Sequence, residues 1–471
     1  MTKRFLEKPQ RWDEATDILI IGSGFAGLSA AYESSRAGAA TLILEKMSYL
    51  GGNSALAGGG FASWDSRLKL KEKLGTGYDS WQLHLDDTIK GGNNYSFPGL
   101  VEIMVKNAPG GLDFLLDAGV SFKEILVKSG CHSVPRCYMA KSTGKEMVKS
   151  LTQMALSAGA QIRENTKVTG IFRDGHDGSV LGVEVSGEDS GYTVQARGAV
   201  IIASGGFGQD VGLRMRYSPA LGPDTPCSNH AGATGEVMGY AREIGADTLH
   251  MAFVQFFPCA NPDTGSVDEW ALTSYSAAGF GGIYVDKSGE RFVDELAGRD
   301  AISDAQMRNC EKPTFAILNE KMAKAMLIPE KDMKNGIRLG RMNQAESAAE
   351  LEKKLGFATG SLTAAIQRHN MYIEQGNDPE FGAPVDSTMI PLYEGPFYAI
   401  AQWPSIHYTM GGLRFDADAR VLDISGNPIP GLYAAGEVCG GVHGANRLGG
   451  NALAECIVFG RIAGINAAKR V

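Results

Sequence analysis

The chain has 471 residues, 44% of them hydrophobic and 21% charged, an ordinary globular composition with length enough for two or three domains around a large core. A net charge of −8 and a pI near 5.6 leave no electrostatic footprint for nucleic acid or an anionic membrane surface. No run approaches the ~18 apolar residues of a membrane helix, and MTKRFLEKPQRWDEATD at the N-terminus lacks the apolar centre of a leader.

In chain order, Ile18–Ile21 reads as a buried parallel strand, Gly22, Gly24, Ala26 and Gly27 as a tight turn, and Leu28–Arg36 as a helix with Gly38 suited to its C-cap. Such a turn lets a pyrophosphate approach backbone N–H groups at a helix N-terminus, where the dipole favours negative charge. The strand Thr41–Leu44 ends in Glu45, 18 residues after Gly27, placed to accept hydrogen bonds from both hydroxyls of an adenosine ribose and to repel a 2′-phosphate. One unit of this kind does not decide between a flavin and a nicotinamide dinucleotide.

The 61 glycines cluster rather than repeat, as in GGNSALAGGG at 51–60, and clustered glycine means close backbone approach to something. Residues 79–160 read as mostly helical, and 161–206 alternate as strands that deliver a second buried strand, Ala199–Ala203, before the turn SGGFGQD. From 250 to 400 short strands mix with polar helices such as SAAELEKKLG, and glycine-rich sequence returns from Ser405 to the end. We expect an α/β fold, a Rossmann-like dinucleotide domain (1–249 and 401–471) interrupted by an inserted α+β capping domain (250–400), with the ligand cleft between them. The seven cysteines show no CxxC, no haem-attachment motif and no zinc spacing, which suits reduced thiols in the cytosol and no metal site; a processed start would allow a periplasmic setting.

Seven motifs in one order carry a resemblance: GSGFAGLSAA (22–31), LGGNSALAGGG (50–60), IIASGGFG (201–208), GATGE (232–236), GERFVDELAGRD (289–300), HYTMGG (407–412) and GLYAAGEVCGGVHGANRLGGNA (431–452). Together they resemble the flavoprotein subunits of fumarate reductase and succinate dehydrogenase, most closely the soluble flavocytochrome c type. The resemblance implies FAD, with Glu45 and Lys46 at the adenosine, and Gly52, Asn53, Ser54, Gly58 and Gly59 near the flavin. It further places Ser204 and Gly205 on the cofactor, Glu437 at ribityl or ribose hydroxyls, and Asn451 and Ala452 at the end of the cradle. The histidine that carries flavin covalently in succinate dehydrogenases has no counterpart in 51–60, so the FAD is expected to be non-covalent.

The same resemblance implies that Arg299 protonates the substrate carbon opposite hydride delivery, and that His407 and Arg447 grip one substrate carboxylate. Two departures bear on the substrate. Where the family's fumarate enzymes hold a second carboxylate with a histidine, this chain reads VQFFPCA, with Phe257 at that place beside Phe256. Where they supply a threonine, a glutamate and an arginine, the last two for a proton relay, it has Ser274, Tyr275 and Ala278. With that relay gone, Tyr275 or Tyr408 is a rival donor, since a tyrosine is intrinsically a stronger acid than an arginine. The expectation is an FAD-dependent reductase of the C=C bond of an α,β-unsaturated carboxylate with one carboxylate and an apolar or aromatic far end. Its electrons would come from a separate cytochrome, flavin protein or NADH. The alternatives are the reverse desaturation, and an electron-transfer subunit without its own substrate.

Overall fold

The computed structural model describes residues 6–186 and 191–471, so the first five residues of the N-terminal stretch read for a leader lie outside the described residues. Its largest sheet has eight strands and is built outward from Glu14–Ile21, which is buried over Ile18–Ile21 and pairs in parallel with Thr41–Leu44 on one side and Tyr192–Ile202 on the other. A strand covered on both faces reads as a continuous apolar run, which is why DILII and GAVII stand out in the sequence. Gln161–Arg163 extends the sheet beyond Thr41–Leu44. Tyr192–Ile202 is shared along its length: its first residues pair with the hairpin Val168–Arg173/Val180–Val185, and its last with Pro428–Ala434, beyond which lies Arg420–Leu422.

The turn after Glu14–Ile21 opens directly into the helix Phe25–Arg36, three residues earlier than the apolar pattern suggested, with Gly24 as its N-cap. Gly22 has φ +105°, and a Cβ there would collide with the carbonyl of Ala203, so only glycine lets the ends of Glu14–Ile21 and Tyr192–Ile202 converge at this point. The C-terminal helix Asn451–Ala468 lies across Phe25–Arg36 at close range: Cβ atoms on Gly460 and Gly464 would strike the carbonyls of Ala26 and Ala30.

The segment 79–160 is less helical than its composition suggests. Between the helices Trp81–Gly91, Pro98–Asp117 and Gly144–Ser157 it contributes the strands Phe122–Val127 and Cys137–Ala140, which form a small sheet with Gly60–Ala62. Cys137–Ala140 is the middle strand, paired with Gly60–Ala62 on one side and with Phe122–Val127 on the other, so tertiary pairing and not local pattern makes these strands. A five-stranded antiparallel sheet, Val254–Ala260, Phe397–Thr409, Thr314–Asn319, Ile283–Val285 and Met342–Ala345, forms the second core. The 13-residue strand Phe397–Thr409 runs through residue 400: its first half pairs with Thr314–Asn319, while its second half carries His407 and Thr409 back to the glycine-rich C-terminal segment. Among the described residues no helix is long and apolar enough to cross a membrane.

Candidate active site

A long cleft follows the C-terminal ends of the parallel strands, the place where open α/β sheets bind ligands. One reach is lined by Gly22, Gly24, Ala26, Glu45, Lys46, Gly52, Asn53, Ser54, Ser204 and Gly205, and the next by Gly58, Gly59, Phe257, Tyr275, Arg299, His407, Arg447 and Ala452. Phe25, Asn53, Ser54, Glu437 and Cys456 line both, so the two are continuous.

The first reach is a set of glycines backed by hydrogen-bonded polar groups. Ser54 Oγ accepts from Phe25 N (3.0 Å) at the helix N-terminus, and Asn53 Oδ1 accepts from His230 N (2.7 Å) while Asn53 Nδ2 donates to Glu437 (3.1 Å). Open space stands before Gly52 and Gly205, and Ser204 Oγ is buried without a partner. At the far end Lys46 Nζ donates to Thr234 Oγ1 (2.7 Å) and Glu236 (3.0 Å), and Lys167 donates to the same glutamate (2.7 Å). Glu45 lies in the cleft wall with its carboxylate already engaged by Ser23 Oγ (2.6 Å) and Met47 N (2.9 Å). Burial pushes the Glu437 carboxyl up to about 7, a cost that hydrogen-bond donors in the cleft would offset. Two expected cofactor residues do not face the cleft. Gly27 packs its bare Cα against the Gly22 carbonyl, and Asn451 bonds inward to His84 Nε2 (2.9 Å) and Thr88 Oγ1 (3.0 Å).

The second reach differs in kind. Arg299, the first residue of the helix Arg299–Asn309, lies with its guanidinium carbon 4.9 Å from the Phe257 ring centre and 4.5 Å from that of Tyr275. Arg447 comes from the loop before the C-terminal helix and lies 4.8 Å over Tyr408. Both are buried, and among the described residues neither has a carboxylate partner. Arg299 Nη1 reaches only Gln255 Oε1 (3.4 Å), Arg447 Nη1 only the Leu448 carbonyl (3.1 Å), and both Nε atoms are unpartnered. Burial first, and then Arg299, lowers the Arg447 guanidinium to about 10. His407 sits beside them with its ring 5.2 Å from Phe257 and Nδ1 2.9 Å from Ser228 Oγ; burial and the two arginines hold it well below its usual range, hence neutral.

The strand and helix periods decide which neighbours take part. On Val254–Ala260, Gln255 and Phe257 share the inward face, and Phe256 does not line the cleft. On the helix Glu269–Ala277, Leu272, Tyr275 and Ser276 face the cavity at i, i+3 and i+4, which turns Ser274 away. Ser274, expected at the substrate, is therefore fully buried behind the wall. The Tyr275 hydroxyl is buried and unpartnered, whereas the Tyr408 hydroxyl donates to Glu455 (2.7 Å), which also binds His443 Nε2 (3.0 Å). Gln255, Ser228 and Asn229 were not singled out from sequence. Gln255 Nε2 ties Asn446 (2.8 Å) to the Arg447 carbonyl (2.9 Å) while its oxygen faces Arg299, and only the alternation that places Phe257 inward could have flagged it.

The family model for an FAD binding domain matches residues 17–453. The chain belongs to that family. This flavoprotein is 35% identical to the acrylate reductase flavoprotein subunit of Shewanella woodyi over 96% of its own length and 91% of that protein's. It is 31% identical to urocanate reductase of Eggerthella lenta, covering 98% and 76%. The open conformation of a flavocytochrome c3 fumarate reductase superposes with TM-score 0.74 at 33% identity, over 98% of this chain and 79% of that one. A 3-ketosteroid-Δ4-(5α)-dehydrogenase from Rhodococcus jostii RHA1 has TM-score 0.74 at 24% identity over 99% and 100%, a likeness that shows the fold. The cofactor is FAD, and the open, glycine-walled reach with its unpartnered Ser204 hydroxyl fits it.

Proposed function

We propose that this flavoprotein reduces the C=C bond of an α,β-unsaturated monocarboxylate with an apolar or aromatic far end. The observation that carries the reading is the pair of buried guanidiniums, Arg299 and Arg447, that share one cavity and, among the described residues, form no ion pair with a carboxylate, Glu437 at the border with the cofactor reach being raised to about 7. Buried charge persists only where something compensates it, and a bound carboxylate is that partner. The names of the acrylate and urocanate reductase relatives, both of monocarboxylate substrates, agree with it.

FAD, when bound, supplies the hydride. Arg447 and His407 hold the carboxylate. This role requires the Ser228 hydroxyl, which lies 2.9 Å from Nδ1 and 3.0 Å from the Ile406 carbonyl, to give its proton to Nδ1, so that the neutral imidazole carries its own on Nε2 and presents it to the anion. As negative charge spreads from the double bond into the carboxylate, these donors are already in place and need no rearrangement. Arg299, wedged between Phe257 and Tyr275, delivers the proton to the α carbon, and the rings on either side fix its fork and exclude water. Leu56, Val127, Met139, Val267 and Leu272 line the remainder of the cavity and suit a hydrocarbon end.

Because residues 51–60 contain no histidine, cysteine or tyrosine, the flavin is held without a covalent bond, and acid precipitation should leave intact FAD in the supernatant. The deciding experiment assays the reduced enzyme in parallel on acrylate, methacrylate, cinnamate, urocanate and fumarate. A second carboxylate pressed on Phe257 costs several kcal/mol, so the best monocarboxylate should exceed fumarate by about 10²-fold or more in kcat/KM. Fumarate reduced as well as every monocarboxylate would overturn the substrate assignment.

A further inference from the structure

Beyond the substrate cavity lies a second chamber. Gly58, Val127, Met139, Leu272 and Ser276 line both spaces, and Leu272 is the partition. Its methyl groups rest on the bare backbone of Gly58, so closely that a Cβ there would strike them. On the far side the walls are Ile125, Trp270, Met326, Ile328 and Met333, contributed by the small sheet of the FAD-binding part, by helices of the capping part and by the turn between two of them that carries Met326 and Ile328. The charged residues of this chamber are Lys123, Glu269 and Asp332. Glu269 has no ion-pair partner among the described residues, and burial, with Asp332 and Asp268, raises its carboxyl above the ordinary range. A third carboxylate would be unwelcome here and hydrocarbon would not.

We propose that the tail of the substrate passes Leu272 and lodges in this second chamber, so that the enzyme prefers extended alkyl or aryl enoates over acrylate. The inference rests on the reductase reading above and adds a binding site for the tail. Leucine and methionine supply the partition and much of the walls, and both side chains turn aside at little cost, methionine with three rotatable bonds. In a β-substituted enoate gripped by Arg447 and His407, the substituent is the end that points away from the carboxylate. Each methylene buried there should strengthen the complex about fourfold.

The test compares crotonate, trans-2-hexenoate, trans-2-octenoate and cinnamate on the reduced holoenzyme, wild type and Ile328→Trp. Ile328 lines the second chamber and not the first. In the wild type, kcat/KM should rise at least tenfold from crotonate to octenoate, through KM. In Ile328→Trp the octenoate-to-crotonate ratio should fall at least tenfold. A wild-type series that is flat or declines with length, while crotonate is reduced, overturns the tail chamber and leaves the reductase reading standing. An Ile328→Trp enzyme that loses activity equally on all four identifies the chamber as an access passage and likewise overturns the proposal. Failure to reduce any enoate removes the reductase reading itself. Should Ile328→Trp not fold, the wild-type length series decides alone.

Discussion

The two reaches of the cleft solve opposite problems. In the cofactor reach the working surface is backbone, and the side chains behind it are satisfied by one another: Glu45 by Ser23 and Met47, Asn53 by His230 and Glu437, Lys46 by Thr234 and Glu236. In the substrate reach the working surface is side chain, and several polar atoms are left over, Arg299 Nε, Arg447 Nε and the Tyr275 hydroxyl among them. A cradle for a resident cofactor is a nearly complete piece of structure by itself, with the Ser204 hydroxyl left over for the cofactor. A site for a transient anion is an incomplete one, and its missing hydrogen bonds belong to the substrate.

The largest effect that this contrast demands is a clean separation of flavin content from turnover. Arg299→Ala should lower kcat by about 10³-fold, the scale of a lost proton donor, while flavin occupancy stays at the wild-type level. Gly22→Ala should do the reverse, losing flavin and thermal stability, because φ +105° and the collision with Ala203 forbid a side chain. The pair is read by flavin absorbance per chain beside steady-state kinetics. An Arg299→Ala enzyme that retains most of its activity moves the proton donor to Tyr275, for which Tyr275→Phe is the next measurement.

Arg447→Ala should come second, with about 10²-fold lost in kcat/KM shared between a higher KM and a lower kcat, since an arginine–carboxylate pair acts in both the ground and transition states. A change in KM alone would mean that Arg447 only recruits the anion and that His407 carries the developing charge.

How far each reach was legible in the sequence follows from the same contrast. A backbone cradle is local in the chain. Gly22, Gly24, Glu45 and the two apolar strands could be read from one 30-residue stretch, because the strand, the glycine turn and the acid at the next strand end are all close neighbours along the chain. The substrate reach is assembled from residues near 228, 257, 275, 299, 407 and 447, and no local pattern joins them; the family resemblance joined all but Ser228. What neither supplied was direction. Ser274 and Tyr275 are adjacent, and only the helix phase shows that Tyr275 faces the cavity while Ser274 is buried behind it. Asn451 likewise matched a motif yet spends its amide on His84 and Thr88. The strands Phe122–Val127 and Cys137–Ala140 were lost inside an apparently helical stretch because the sheet they form is completed by Gly60–Ala62, which pairs with Cys137–Ala140 and is far away in sequence.

Buried histidines on both sides of the cleft set a third expectation, in pH. His84 behind the cradle is pushed down to about 3 by burial and Arg136, and His407 in the cavity is lowered well below its usual range. Each is neutral when folded and takes up a proton when unfolded near pH 6.5, so the stability it contributes is full above 6.5 and drains away as pH falls below it. For His84 alone this is about 2 kcal/mol by pH 5. Glu437, raised to about 7, works the other way between its unfolded value of 4.5 and 7, gaining stability as it protonates. Comparing wild type with His84→Gln cancels that opposing slope. The melting temperature of the wild type should drop more between pH 7.5 and 5 than that of the variant. Parallel curves would mean that His84 is protonated in the folded protein and that its environment is not as dry as its burial indicates.

The smallest effect expected is at Tyr408, and it sharpens the comparison between the two tyrosines of the substrate reach. Both rings lie against a guanidinium, Tyr275 at 4.5 Å from Arg299 and Tyr408 at 4.8 Å from Arg447. Their hydroxyls differ. The Tyr408 hydroxyl is committed to Glu455, and burial together with that carboxylate raises it well above the ordinary phenol range, so it holds its proton and aims it away from the cavity. The Tyr275 hydroxyl has no such commitment. Tyr408→Phe keeps the ring under Arg447 and removes one buried hydrogen bond, worth about 1 kcal/mol, so activity should fall by no more than about fivefold, mostly through KM as Arg447 loosens. That outcome would fit a phenol that positions Arg447, whereas a fall of about 10³-fold in kcat with KM unchanged would make Tyr408 the source of the proton, with the Glu455–His443 pair behind it as the route of resupply.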